Sequence, residues 1–159
     1  MKLVINTCFG GFGLSKKAVA RYAELCGKKA YFFKKNLSYA SDTGYEPVDI
    51  DSEDLLGIFF TFTVPNPNEY LAKTTKKPWN EMTMKEKERH NKAYDKIKVE
   101  DKRPKRDDPR LVQVVEELGD EANGIFANLK IVKIPDDIQW EIEENDGNEW
   151  VSESHRTWS

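Results

Sequence analysis

The sequence predicts an α+β fold: a single domain over residues 1–159 with a mixed β-sheet of about four to six strands, two to three helices and a C-terminal hairpin. Three observations carry this. At 159 residues the chain suits one ordinary domain and falls short of two. Short β-branched or aromatic runs alternate with segments of helical periodicity, in the order β, α, β, β, α, α, β, β, β. Near the end, an Asp-Gly pair sits between runs of alternating apolar residues, a strong hairpin signature.

Residues 2–7 (KLVINT) are short, β-branched and apolar, and predict a buried strand. The glycine-rich loop Cys8-Phe9-Gly10-Gly11-Phe12-Gly13-Leu14 follows. Ser15 is a natural N-cap for a helix running to about Cys26, whose apolar face is Ala18, Val19, Tyr22, Ala23 and Cys26. Gly27 is placed to end it. Residues 30–34 predict a second strand, 36–54 a polar loop, and 57–64 (GIFFTFTV) a central strand stopped by Pro65 and Pro67.

Residues 83–97 predict a largely solvated helix, with Thr83 as cap and Glu86 at capping-box spacing. Segment 98–107 reads as a linker. Asp108-Pro109 opens a strong helix with Leu111, Val112, Val115 and Leu118 on one face; Gly119 interrupts it and Asn123-Gly124 ends it. Residues 128–134 predict a strand. In the closing hairpin, a two-residue Asp146-Gly147 turn would set Ile142 opposite Val151. A three-residue loop with a bulge would instead set Ile142 opposite Trp150. The second register is preferred, because it keeps Ile138, Trp140, Ile142 and Trp150 on one face, continuing through Ser154 and Arg156 to Trp158.

Composition narrows the function classes. Four Trp, six Tyr and eight Phe argue against general disorder, although 33% of residues are charged and 38% apolar. No apolar run approaches the roughly 20 residues of a membrane helix. The start, with one lysine and a short apolar run, does not read as a secretory signal. Cys8 and Cys26 suggest free thiols in a reducing compartment. With His90 and His155 far apart in the chain, no zinc site is expected. The net charge of -3 is uneven. Residues 1–72 carry 8 Lys/Arg and 8 Asp/Glu, residues 73–106 carry 13 and 6, and residues 107–159 carry 4 and 14. Residues 65–106 read as a separate excursion from the domain, basic over 73–106.

Four features invite a chemical reading. The strand–FGGFG–Ser–helix passage would turn backbone N–H groups toward one point beside a helix start, which suits an anion; the alternative is a tight strand-to-helix turn with Phe9 and Phe12 plugging the core. Its spacing matches neither the dinucleotide fingerprint nor the P-loop. Lys16 and Lys17 oppose the helix dipole, a conflict that a bound phosphate would offset. The tail, with His155, Arg156 and Trp158, would grip a phosphate and stack on a base, or else pin the chain end. Asp136, Asp137, Glu141, Glu143, Glu144, Asp146 and Glu149 form an acidic face: solvated, cation-binding or DNA-like. Glu141 and Glu143 fall opposite Trp140 and Ile142, as a solvated face requires. The basic segment 73–106 interleaves Trp79 and Tyr94 among its cations, although a pI near 5.5 speaks against nucleic acid.

Three stretches, KLVINTCFGGFGLS, the run from Asp107 to Val151, and ESHRTW, resemble a family of small phage and prophage proteins. The likeness covers roughly residues 1–26 and 104–158. It implies a phage origin and action in the host bacterial cytoplasm, and brings no catalytic residues with it.

These readings converge on an expectation of a phage counter-defence protein that binds and sequesters a nucleotide-derived immune signal. The expected ligand-binding residues are Phe9, Gly10, Gly11, Phe12, Gly13, Ser15, Lys16, Arg106, Arg156 and Trp158. A homo-oligomer would enclose the ligand. No nucleophile elbow, metal set or cofactor motif is visible, so catalysis, metal and cofactor are not expected. The alternatives are an inhibitor of a host defence nuclease that uses the acidic face as a DNA-like surface, and a structural or regulatory phage component.

Overall fold

The apolar run Leu3-Val4-Ile5 forms the centre of β1 (Lys2–Asn6), buried almost without interruption rather than on alternate residues. The computed structural model describes residues 1–35, 44–52, 59–99 and 104–154. Two compact units are present: Met1–Cys26 together with Asp101–Ser159, and Gly27–Glu100. The class is α+β, as the element order predicts, with a C-terminal hairpin. In place of one mixed sheet, the strands among the described residues form three small antiparallel sheets.

In the first unit, β1 pairs antiparallel with β5 (Leu129–Lys133), setting Val4 opposite Ile131. Two helices, α1 (Lys16–Leu25) and α4 (Pro109–Leu118), pack together, and α4 also packs against β1. Ser15 caps α1 by accepting the Ala18 N–H at 3.1 Å, and Asp108 caps α4 through the Arg110 N–H at 2.9 Å. The buried positions are Ala18, Val19, Tyr22 and Ala23 on α1, with Leu111, Val112, Val114 and Val115 on α4. The Tyr22 hydroxyl donates to Asp108 at 2.7 Å, tying one helix to the other's cap. Gly119, expected only to interrupt α4, ends it: its φ of 54° takes the chain into a short 3₁₀ turn, Gly119–Ala122.

The hairpin of β6 (Trp140–Asn145) and β7 (Asn148–Glu153) corrects the expected register. Ile142 faces Val151, Trp140 faces Glu153, and the connection is the two-residue Asp146-Gly147 turn. Both turn residues have positive φ, 51° and 87°, the geometry whose twist matches that of paired strands. One face therefore carries Trp140, Ile142, Val151 and Glu149. Trp150 points the other way and is 42% exposed.

In the second unit, β2 (Tyr31–Lys35) is flanked by β3 (Tyr45–Pro47) and β4 (Phe60–Phe62). The stretch containing β3 was expected to be loop. Next come α2 (Pro67–Ala72), which Pro67 opens rather than ending all structure, and α3 (Met84–Ile97). Thr83 and Glu86 form the expected reciprocal capping box. Lys98 and Val99, expected in a linker, instead continue alongside β4: Lys98 bridges Phe62, and the Val99 N–H reaches the Thr61 carbonyl at 2.9 Å. Phe33, Phe62, Leu71 and Ile97 make the core, with Tyr94 edge-on to Phe62 at 5.5 Å between ring centroids. Among the described residues no helix is long and apolar enough to cross a membrane.

Candidate anion-binding site

The glycine loop is packed on two sides. A methyl group on Gly10 would lie 1.8 Å from the Phe126 carbonyl oxygen, and one on Gly147, at the hairpin tip, would lie 2.5 Å from the Gly11 nitrogen. Only hydrogen side chains permit these approaches. Gly13 accepts the Gly124 N–H at 2.9 Å, which ties the loop to the chain before β5.

Its neighbours are equally engaged. Asn6, wholly buried, donates to the Cys8 carbonyl at 2.7 Å and to the Gly147 carbonyl at 2.6 Å, and its own carbonyl accepts the Asn128 N–H at 2.7 Å. Glu149 accepts the Asn6 backbone N–H at 2.8 Å and an Arg106 guanidinium N–H at 2.6 Å. The guanidinium lies over Phe12, its central carbon 3.3 Å from the ring centroid. Of the expected ligand-binding residues, Gly10, Gly11, Phe12, Gly13 and Arg106 are thus brought together, and each serves the packing. The Ser15 hydroxyl spends its hydrogen on the Glu121 carbonyl at 2.6 Å. Lys16 is buried, while Lys17 pairs with Glu121 at 2.7 Å, which relieves the conflict with the helix dipole. Phe9 does not plug the core; it is 70% exposed. Glu149, expected on a solvated acidic face, is buried, whereas Glu141, Glu143 and Glu144 are exposed. Arg156 and Trp158 lie outside the described residues.

The roomier site is in the second unit. A cavity of about 750 Å³ opens between the β3 end, α2, the turn after it and α3. That is within the usual range for small-molecule pockets, roughly 300–1,000 Å³. Trp79 and Leu71 give it apolar wall, Lys35, Lys76 and Lys77 give it positive charge, and His90 stands at one end. Glu86 holds Lys77 at 3.0 Å, whereas Lys76 makes no ion pair among the described residues. The Trp79 ring meets the His90 ring edge at 5.9 Å between centroids and has Lys87 5.3 Å away. Glu86 sits well below the usual carboxylate range, at about 2, because it accepts the Thr83 backbone N–H and the Lys77 ammonium.

His90 is held in one orientation by a proton count. The Thr74 hydroxyl lies 2.7 Å from the Leu71 carbonyl, which can only accept, so the hydroxyl hydrogen is used there. Its 3.1 Å contact with His90 Nδ1 must then be donated by the ring. The proton therefore sits on Nδ1, and in the neutral ring Nε2 is the acceptor.

Of the two aromatics in the basic segment, Trp79 lines the cavity and Tyr94 packs against the core. Asn6, Thr74 and His90 were missed, since nothing local to them signals a buried hub or a cavity wall. Among the described residues no three His, Cys, Asp or Glu side chains group to hold a metal ion. No protein-family model, curated protein or solved structure matches the chain.

Proposed function

We propose that this protein binds and sequesters a small nucleotide-like anion, acting as a sponge rather than as a catalyst. The cavity beside Trp79 carries the reading: an indole for a base to stack on, with Lys76, which makes no ion pair among the described residues, beside it for phosphate. Stacking contributes about 1–3 kcal/mol per base and a charge-assisted hydrogen bond about as much, so one base and one phosphate suffice for measurable affinity. The glycine loop, the first candidate, then acts as architecture. In the phage setting that the sequence resemblance implies, the sequestered molecule would be a nucleotide immune signal and the role counter-defence.

Thermal unfolding against linear and cyclic dinucleotides, ADP-ribose, its cyclic form and NAD tests this. A ligand at 100 times its Kd adds about 2.7 kcal/mol, which for a chain of this size raises Tm by roughly 5–11 °C. Trp79→Ala should abolish the shift, and the ligand released on denaturation should have unchanged mass. A panel without a shift overturns the reading. A second reading rests on the outward carboxylates Glu143, opposite the exposed Trp150 in the hairpin, and Glu141, opposite Ser152. These would dock a basic protein surface such as a nuclease, and charge reversal there would abolish inhibition without touching nucleotide binding.

A further inference from the structure

We infer that α3 provides a second anion subsite and that the ligand therefore carries at least two phosphate groups, as a dinucleotide does. This rests on the sponge reading of the Trp79 cavity. Lys85, Arg89, Lys92 and Lys96 are spaced 4, 3 and 4 residues apart, which places them in one row on the helix. At 1.5 Å per residue the row is about 16 Å long. With Tyr70 and Thr74 these four cations line a separate cavity of about 420 Å³, where Glu88 is the one acid.

The charge in this row is unmatched. Elsewhere around α3, Lys77 has Glu86 and Lys98 has Asp95 at 2.8 Å, while Lys87 rests over Trp79. Lys85, Arg89, Lys92 and Lys96 make no ion pair among the described residues. Like charges three and four apart weaken a helix, so a row that leaves them together is suited to an anion from outside.

The two cavities are neighbours. Thr74 lines the one and His90 the other, and these residues are hydrogen-bonded to each other at 3.1 Å. A molecule with its base at Trp79 and one phosphate at Lys76 reaches across this pair to place a second phosphate on Arg89 and Lys92. A single phosphate leaves the row empty.

Calorimetric titration with AMP and with the 5′-phosphorylated dinucleotide pApA separates the cases. The expected result is pApA binding at least about tenfold tighter than AMP, the worth of one charge-assisted contact. Arg89→Glu with Lys92→Glu should erase that advantage and leave AMP affinity unchanged. Trp79→Ala should weaken both. Lys85→Gln with Lys96→Gln, a milder change on the same exposed row, should lower the pApA advantage and its salt dependence. Equal affinity for AMP and pApA, or indifference to these variants, overturns the second subsite and leaves the Trp79 reading standing. No binding of either overturns the second subsite, and together with a thermal panel that shows no shift it overturns the Trp79 reading as well. Affinity that rises steadily with oligonucleotide length overturns the small-ligand reading in favour of single-stranded nucleic acid.

Discussion

The carboxylate of Glu149 and the guanidinium of Arg106 meet at 2.6 Å, with the acid side chain 8% and the base 20% exposed. A second oxygen of Glu149 takes the backbone N–H of Asn6 at the end of β1. One acid thus joins the hairpin, the first strand and the segment before α4. Removing it takes the carboxylate away from a guanidinium that is only 20% exposed and leaves the buried Asn6 N–H without its acceptor. Glu149→Ala should cost about 3–5 kcal/mol of unfolding free energy, and Arg106→Met with Glu149→Leu much less. Urea denaturation of both variants checks this. Equal losses would show that the pair's charge is not what matters.

Trp150 supplies the opposite expectation. It is the larger and more apolar neighbour, yet it faces outward across from Glu143. Trp150→Ser should change stability by less than about 1 kcal/mol, as surface positions do. A greater loss by the same measurement would mean that this outer face is packed.

Gly10→Ala tests the role of the loop. Its Cβ would meet the Phe126 carbonyl oxygen, so backbone must shift, at a cost of about 1–3 kcal/mol. The loss should appear in ligand-free melting, with ligand affinity at 25 °C unchanged. A loop acting as an anion cradle would show the reverse.

Acid should loosen both helix caps. Glu86, through the Thr83 N–H and Lys77, and Asp108, chiefly through Arg110, are each held at about 2, below the ordinary carboxylate range. A carboxylate depressed in the folded state stabilises it above the unfolded pKa of about 4 and loses that contribution as pH falls toward 2. Stability should therefore decline between about pH 4 and pH 2, less steeply in Asp108→Asn. Thr83→Ala should cost about 1 kcal/mol at neutral pH, and denaturant midpoints across pH measure both effects.

Much of the architecture is legible in local sequence because its signals are local. Ser15, Thr83 and Asp108 each cap the helix they announce, since a cap is a contact within a few residues. The run Leu3-Val4-Ile5 is apolar enough to be a buried strand whatever lies beside it. The Asp-Gly pair marks the hairpin, because Gly147 accepts a positive φ without strain and Asp146 tolerates one.

What tertiary structure alone decided is which face each strand turns inward, and what the polar residues meet there. By hydrophobicity Trp150 belongs inside. Glu149 takes that place because Asn6, 143 residues away in the chain, and Arg106 offer it hydrogen bonds that water would otherwise supply. The FGGFG passage reads equally as an anion cradle and as a close-packed turn until Gly147 and Phe126 are seen against it. The Trp79 cavity draws its walls from β3, α2, the following turn and α3, whose sequences carry no mark of one another. Local sequence determines caps, turns and apolar runs, because those energies are settled within one or two turns of chain. The partners of buried charges and the walls of cavities are settled by contacts between distant segments, which exist only once the chain has folded.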